Sequence, residues 1–202
     1  MSTNTSGDRA VELARARGTL TAREAARQGI HSQALTRLVR EGMLERVARG
    51  QYRLPEASVT EHHALALTAG SVPEGVVCLL SALAFHGIGT QVASRVWIAV
   101  DRRARRPQVT WPPLRVVRFG GEAFTAGVDV HEVEGVQVRI YCPAKTIADL
   151  FKYRNKVGLD VALEALTEAW QERRVTVDQL SEYARVCRVE RVMRPYLQLI
   201  TS

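Results

Sequence analysis

The N-terminal part of the chain is best understood from residues 32–54, which read SQALTRLVREGMLERVARGQYRL. A helix turns by about 100° per residue, so one that begins at Ser32 places three apolar side chains on a single face: Leu35, Leu38 and Val39. The opposite face carries polar side chains with no acid among its central positions: Gln33, Thr36, Arg37 and Arg40. We expect Ser32 to cap this helix, which ends near Glu41 before Gly42.

Two shorter helices are predicted before this segment. Residues 9–16 favour a helix that ends at Gly18. Thr21 and Glu24 have the spacing of a capping box, in which each side chain bonds the backbone of the other residue. This box opens a second helix, and Gly29 is a typical residue for its end.

A β-hairpin is predicted after the third helix. Residues 44–47 and 51–54 have the pattern of short strands, and Gly50 lies in the turn between them. Three short helices followed by a hairpin predict a winged helix-turn-helix domain over residues 8–56.

A winged helix of this kind places its third helix in the major groove of duplex DNA, while the hairpin reaches phosphates or the minor groove. The candidate base-reading residues are Ser32, Gln33 and Arg37, with Thr36 on the same face. The candidate phosphate contacts are Arg40, Arg46, Arg49 and Arg53, where Arg49 stands at the hairpin tip. The alternative is a winged helix that docks on proteins and has no DNA role.

The remainder, residues 59–202, predicts a mixed α+β domain after a short linker at Pro55–Ser58. A first helix is expected over residues 60–69, and a short one over residues 82–86 with Ser81 as its cap. Strands are expected at residues 76–80, 95–100 and 114–119, and a second hairpin at residues 128–133 and 136–141. Helices follow from Pro143 onward, one of them with a core-facing stripe of Leu159, Leu163, Leu166 and Trp170. The predicted fold class is therefore α+β with a central sheet and a helical C-terminal part.

Positive charge is concentrated in two segments of a chain whose formal net charge is +7. Residues 1–56 hold ten arginines and six acidic residues, and residues 95–118 hold seven arginines and one aspartate. Arginine binds phosphates and guanine edges in a planar, bidentate manner, so these segments favour a polyanionic partner. The second segment contains Arg102, Arg103, Arg105 and Arg106, which lie between predicted strands.

Lys145 and Asp149 stand four residues apart on a predicted helix, with Arg154 near them. This spacing predicts an exposed ion pair worth a few tenths of a kcal/mol. A contact with a partner protein is the alternative for these three residues and for the arginines of residues 102–106.

No motif in the sequence indicates catalysis, a cofactor or a metal. The chain lacks GxSxG, GxGxxG, HExxH and paired cysteines, and no Asp or Glu stands two positions before a lysine. The carboxylate pair of a nucleotidyltransferase is also missing, because the acid-x-acid pair Glu132 and Glu134 lies far beyond Gly70-Ser71. Cys78, Cys142 and Cys187 are expected to be free thiols, and His62 and His63 to be exposed. With no membrane-spanning stretch and no secretion signal at Met1–Gly7, we expect a cytoplasmic protein.

Residues 30–54 resemble the N-terminal winged helix of AbiEi-type antitoxins, the regulator halves of AbiE type IV toxin–antitoxin systems. The second part is similar to the same family in four blocks: CLLSALAFHG at residues 78–87, VWIAV at 96–100, PAKTIADLFKYR at 143–154 and GLDVALEAL at 158–166. The block containing His86 and the block containing Arg154 are its more specific parts. The similarity covers nearly all of residues 10–200.

The resemblance implies a bacterial protein with two roles. Its winged helix would bind inverted repeats in its own promoter, with dimerisation on DNA, and repress the operon. Its second domain would counter a cognate nucleotidyltransferase toxin without a stable complex. The family blocks include Ser81, His86, Asp149 and Arg154, and an enzyme that uses Ser81, His86 or Asp149 on the toxin or a nucleotide is the alternative. The arginines of residues 102–106 extend the possible DNA contact beyond the wing.

Overall fold

The computed structural model of the chain describes residues 5–56 and 60–201 and mixes helices with strands, as the predicted α+β class requires. The chain divides into two compact units. The first comprises Met1–Pro73 together with Glu132–Val138, and the second comprises Glu74–His131 together with Arg139–Ser202. Ala57, Ser58, Val59 and Ser202, which belong to the predicted linker or the predicted second domain, lie outside the described residues, as does most of the segment searched for a secretion signal.

The first unit is built from short elements around a small core. In chain order these are α1 (Ser6–Arg17), β1 (Thr19–Thr21), α2 (Ala22–Arg27), α3 (Ser32–Arg40), β2 (Glu45–Ala48), β3 (Gln51–Arg53) and α4 (His63–Ser71). The strands form an antiparallel sheet in the order β1-β3-β2. The core buries apolar residues from the helices and the sheet, among them Ala10, Leu20, Ile30, Leu35 and Tyr52.

The start of α2 confirms one predicted cap, and the start of α3 corrects another. The Glu24 amide donates to Thr21 Oγ1 at 3.1 Å and the Thr21 amide donates to Glu24 Oε2 at 2.8 Å, which completes the capping box. Ser32, by contrast, does not cap α3: the cap position is His31, whose backbone is extended, with φ −73° and ψ 149°. Ser32 is the first helical residue, so its side chain is not placed to accept from the first turn.

The first unit extends further along the chain than the predicted boundary near residue 56. The buried Gln51 side chain donates from Nε2 to the Leu67 carbonyl at 2.8 Å and to Ser71 Oγ at 2.7 Å, which fastens α4 to β3. These long-range hydrogen bonds have no counterpart in local sequence pattern. The strand β1 was not predicted for the same reason: it depends on a contact between distant residues, the pairing of Thr19 and Leu20 with β3.

The tip of a distant hairpin also belongs to the first unit. The Glu134 carboxylate accepts from the Thr60 amide at 2.7 Å and from Thr60 Oγ1 at 3.0 Å, and its Oε2 lies 2.6 Å from His63 Nδ1. Gly135 has φ +74°, and a Cβ at this position would overlap the Arg17 carbonyl group. A side chain would therefore separate this tip from the end of α1.

The second unit holds the larger core. Its elements are β4 (Val76–Val77), α5 (Leu79–His86), β5 (Val96–Asp101), β6 (Leu114–Phe119), α6 (Glu122–Thr125), β7 (Val128–Val133), β8 (Val136–Tyr141), α7 (Pro143–Val157), α8 (Leu159–Gln171), α9 (Val177–Cys187) and α10 (Glu190–Ile200). The tips of β7 and β8 are the residues that group with the first unit. The strands form a mixed sheet in the order β6-β5-β4-β8-β7, with β5 parallel to β6 and β4 parallel to β8.

The predicted strands β6, β7 and β8 are confirmed, whereas the strand predicted at residues 76–80 is mostly wrong. Only Val76 and Val77 form the strand; Cys78 is still extended, but it is the cap position of α5, and Leu79 takes φ +48° and begins that helix. Ser81 is consequently inside this helix and does not cap it. Its buried Oγ accepts the Trp97 amide at 2.9 Å, which joins α5 to the sheet.

The stripe predicted for α8 is also corrected. Leu159 is 37% exposed and Leu163 and Trp170 are only partly buried, whereas the helix face turned to the core carries mainly small side chains. The buried residues of α8 are Val161, Ala162, Ala165, Leu166 and Ala169. Three of these five residues are alanines, whose small side chains permit close packing of α8 against α7.

Candidate nucleic-acid interface

The polar face predicted for α3 lies on the surface of the first unit. Leu35 and Leu38 are buried, with 0% and 4% of their surface exposed, and they fix the rotation of the helix. The predicted contact residues on the other side are all exposed: Ser32, Gln33, Thr36, Arg37 and Arg40. The structure therefore brings five of the eight candidate DNA contacts together on a single exposed helix face.

The side chains of this face make only weak contacts within the described protein. Thr36 Oγ1 donates to the Ser32 carbonyl at 3.1 Å, and Arg37 Nε lies 3.7 Å from Glu41 Oε1. Both members of the ion pair are more than half exposed, and such surface pairs contribute little free energy. Asp8 also interacts with the Arg37 charge, so Arg37 is an exposed cation with two acidic neighbours, and exchanging the exposed Glu41 carboxylate for another anion costs little.

The three arginines of the β2–β3 hairpin differ in how exposed they are. Arg46 and Arg49 are exposed, and Arg49 lies in the turn, where Gly50 has φ +71°. Arg53 has a side chain only 16% exposed and forms an ion pair with Glu45 on the neighbouring strand. Glu45 thus pairs with Arg53 through Nε, although Arg53 Nη1 is buried without a hydrogen-bond partner among the residues that the structure describes. The exposed cations of the hairpin are Arg46 and Arg49.

The second arginine-rich segment is an exposed turn after β5. Arg102, Arg103, Arg105 and Arg106 are all exposed. A side chain of β6 holds the turn in place: Arg118 Nη1 donates to the Arg102 carbonyl at 3.0 Å and to the Ala104 carbonyl at 2.8 Å. The cluster is consequently a positively charged surface of the second unit.

Lys145 and Asp149 are not on the surface, which corrects the exposed ion pair predicted from their spacing. Both side chains are 0% exposed, and Lys145 Nζ lies 2.6 Å from Asp149 Oδ2. Cys187 Sγ donates to the other carboxylate oxygen at 3.2 Å, and Lys145 Nζ lies 3.9 Å from the centre of the Tyr141 ring. Since α5, α8 and α9 all pack on α7, even its polar side is enclosed. These two residues therefore cannot belong to a partner surface in this conformation.

The surroundings of this pair keep the neighbouring thiols protonated. Burial raises the pKa of Asp149, although the Lys145 ammonium and its hydrogen bond oppose that shift. Burial, followed by the Asp149 charge, raises the pKa of Cys187 to about 12 and that of Cys78 well above its usual value. All three cysteines are free; Cys78 and Cys187 are buried, and Cys142 is half-buried.

Arg154, the remaining candidate for a partner surface, lies near the end of α7. Its Nη1 donates to the Phe151 carbonyl at 2.9 Å, and the residue is half-buried. This contact is local to the helix, so it does not connect Arg154 to the buried pair or to the arginines of the turn.

The prediction that His62 and His63 are exposed is wrong, because both are partly buried, with side chains 27% and 21% exposed. His63 binds Glu134. His86 and His131 are distant in sequence, yet their ring centroids lie 6.1 Å apart, and His86 Nε2 lies 2.8 Å from the Tyr141 carbonyl oxygen. Burial lowers the pKa of His86. Within residues 5–56 and 60–201, no group of three or more metal-binding side chains could hold an ion, and no helix could cross a membrane.

The chain is similar in fold to the crystal structure of the RV2827C protein from Mycobacterium tuberculosis. The TM-score is 0.57 at 17% sequence identity, and the match covers 88% of this chain and 70% of that chain. Identity this low is informative about the fold alone. No curated protein sequence matches the chain significantly.

A family model matches the N-terminal part of the chain. The matched residues, 8–55, contain α3 and the hairpin with the exposed arginines. The family is described as a transcriptional regulator and AbiEi antitoxin. Residues 8–55 therefore carry the signature of the AbiEi antitoxin family of transcriptional regulators, which confirms the resemblance over this part of the chain.

Proposed function

We propose that this protein is a cytoplasmic repressor that binds inverted repeats in its own promoter through a winged helix-turn-helix. In the same proposal it is the antitoxin of a nucleotidyltransferase toxin encoded beside it. The family match of residues 8–55 supports the regulator and antitoxin roles in general terms. The promoter, the wing and the toxin are the specific parts of the proposal.

The observation that carries the DNA-binding role is the exposed face of α3. A recognition helix needs an apolar side that anchors it and a polar side that is free to meet base edges. Leu35 and Leu38 supply the first, and Gln33 and Arg37 supply the second. Gln can bond adenine and Arg can bond guanine in a bidentate manner, so both side chains can discriminate between bases.

In this proposal the hairpin of β2 and β3 acts as the wing. Arg46 and Arg49 are exposed cations on a rigid support, since β3 pairs with both β1 and β2. Contacts to phosphate position a protein on the duplex without reading its sequence. We assign Arg40, Arg46 and Arg49 to this role and leave Arg53 to its ion pair with Glu45.

The promoter interaction can be tested by fluorescence anisotropy with the gene's own upstream region and with a scrambled duplex of equal length. We expect tighter binding to the upstream region, two protein copies on each inverted repeat, and affinity that falls steeply with salt as counterions are released. Equal affinity for both duplexes would contradict sequence-specific repression. Binding of a single copy would contradict dimerisation on DNA.

The assigned roles can be separated by two variants. Arg37→Ala should reduce discrimination between the two duplexes by about 1–3 kcal/mol, because a base contact is lost. Arg49→Ala should weaken both duplexes alike and lower the salt dependence by about one phosphate contact. Arg191→Ala, at an exposed position of α10, is the matched control and should change neither quantity. Identical behaviour of the Arg37 and Arg49 variants would contradict this division of roles.

The antitoxin role is proposed to proceed by binding and not by catalysis. The residues considered for an enzyme already make contacts within the fold. Ser81 Oγ accepts a hydrogen bond from the Trp97 amide, and Asp149 is buried in an ion pair with Lys145. His86 lies against the Tyr141 carbonyl. Their engagement supports a structural role for each of them.

Co-expression with the neighbouring toxin gene tests the antitoxin role directly. We expect the wild-type chain to restore growth, and Ser81→Ala and His86→Gln, once shown to be folded, to restore it equally well. Loss of rescue in a folded Ser81 or His86 variant would favour an enzyme. A neighbouring gene without the Gly-Ser and Asp-x-Asp signature of a nucleotidyltransferase would contradict the proposed toxin.

A further inference from the structure

The second unit contains a cleft of about 640 Å³ that the DNA-binding role does not use. Its walls come from the turn after β5, the end of β6, the residues that lead into α6, and the outer sides of α7 and α9. Ligand-binding pockets have volumes of about 300–1,000 Å³, so the cleft is large enough for a small molecule.

Five cationic side chains line this cleft: Arg102, Arg118, Lys152, Arg185 and Arg188. Two carboxylates, Glu122 and Glu182, are also present, and neither forms an ion pair with the five cations within the described residues. The lining therefore carries a surplus of positive charge. A concave surface whose charges have one sign concentrates the electric field and attracts ions of the opposite sign.

The cations are held by different elements and are largely unneutralised. Arg118 is oriented by carbonyls of the turn that carries Arg102. Lys152 Nζ lies 5.5 Å from the centre of the Phe119 ring, and Arg185 reaches Glu190 only at 4.0 Å in an exposed pair. Arg188 closes α9 in a left-handed conformation, with φ +60°. Cations that come from so many elements suit a chain of phosphates better than a single phosphate.

We propose that this cleft binds a small polyphosphate anion of the kind carried by a nucleoside triphosphate. Arginine guanidinium groups bond phosphate oxygens in pairs, and lysine supplies a point charge. The one aromatic side chain of the lining, Phe119, is 3% exposed and offers no surface on which a base could stack. Recognition therefore depends on the phosphate chain, with little discrimination between bases.

Calorimetric titration of the full chain with tripolyphosphate, ATP, GTP and AMP tests this proposal. We expect one binding site, similar affinities for the first three ligands, and at least about tenfold weaker binding of AMP, which lacks the phosphate chain. Equal affinities for AMP and ATP would overturn the proposal, as would no binding of tripolyphosphate at millimolar concentration. Much tighter binding of ATP than of tripolyphosphate would overturn recognition by phosphate alone.

Variants locate the site. Lys152→Gln and Arg185→Gln should each weaken tripolyphosphate binding by about tenfold, since each removes a charge-assisted contact. Arg191→Gln is the matched control, because Arg191 is exposed on α10 and does not line the cleft. Equal weakening by Arg191→Gln would indicate unspecific attraction to a basic protein and overturn the assignment. Thermal unfolding of each variant verifies that it is folded.

The proposal is independent of promoter binding. Arg37→Ala alters the exposed face of the first unit and should leave tripolyphosphate affinity unchanged. A short duplex of the upstream region should likewise not displace tripolyphosphate. Displacement by the duplex would show that the arginines of the cleft belong to the DNA interface, and it would overturn the small-ligand site.

Discussion

The two units contain ion pairs of identical sequence spacing with opposite environments. On α3, Arg37 and Glu41 stand four residues apart, 3.7 Å from each other, and both are more than half exposed. On α7, Lys145 and Asp149 also stand four residues apart, yet they lie 2.6 Å from each other and are completely buried. Spacing on a helix brings two charges together, but the elements packed around the helix decide whether water remains.

The comparison is most sharply tested at Asp149. Asp149→Ala should lower the free energy of unfolding by about 3–5 kcal/mol, because it leaves the buried Lys145 ammonium without its partner. Urea denaturation at neutral pH measures this. The double variant Lys145→Met/Asp149→Leu removes both charges and should recover most of the loss. A loss below about 1 kcal/mol in the single variant would contradict a buried, uncompensated charge.

Glu134 is an intermediate case in the first unit, with 7% of its side chain exposed. Burial alone would raise its pKa, but hydrogen bonds from His63 and Thr60 outweigh burial, so the pKa of Glu134 is lowered. Glu134→Gln should reduce stability by about 1–3 kcal/mol at pH 7, since the charged hydrogen bonds are weakened.

The lowered pKa of Glu134 also determines the pH dependence. The carboxylate contributes stability above its unfolded pKa near 4.5 and loses that contribution as the pH falls through the lower folded value. Urea denaturation of wild type and Glu134→Gln should therefore differ at pH 7 and converge in acid. The exposed Glu132→Gln variant is the control. A difference that grows in acid would contradict the sign of this shift.

The capping box of α2 gives a smaller effect within the first unit. Thr21→Ala should lower the free energy of unfolding by about 1 kcal/mol, because the Glu24 amide loses its acceptor. Thr21→Ser keeps a hydroxyl at the cap and should retain most of the stability. Thermal unfolding of both variants checks the prediction, and equal losses in Ala and Ser variants would assign the effect to packing of the Thr methyl group instead.

The smallest effect is expected at the exposed pair. Glu41→Ala should change the free energy of unfolding by no more than about 0.5 kcal/mol, because exposed ion pairs contribute little. If α3 meets DNA, the same variant should bind both duplexes slightly more tightly, as a negative charge near phosphates is removed. A stability loss comparable to that of Asp149→Ala would erase the contrast between the two helices.

Much of the candidate interface could be predicted because it depends on local pattern. The apolar spacing of Leu35 and Leu38 determines which face of α3 is exposed, and the capping box of Thr21 and Glu24 determines where α2 begins. Arg53 could not be distinguished from Arg49 in this way. Its burial depends on the register of β2 and β3, which places Glu45 opposite it.

The amino-acid sequence alone determined the mixed helical and stranded character of the protein, the strands β6 to β8, and the exposed polar face of α3. These features follow from side-chain periodicity and from interactions between residues a few positions apart. Only the tertiary structure decided that Lys145 and Asp149 are buried, that Gln51 and Glu134 fasten α4 and a distant hairpin tip to the first unit, and that cations from separate elements line a common cleft. Burial and charge neutralisation depend on which elements pack together, and that information lies in contacts between residues far apart in the chain.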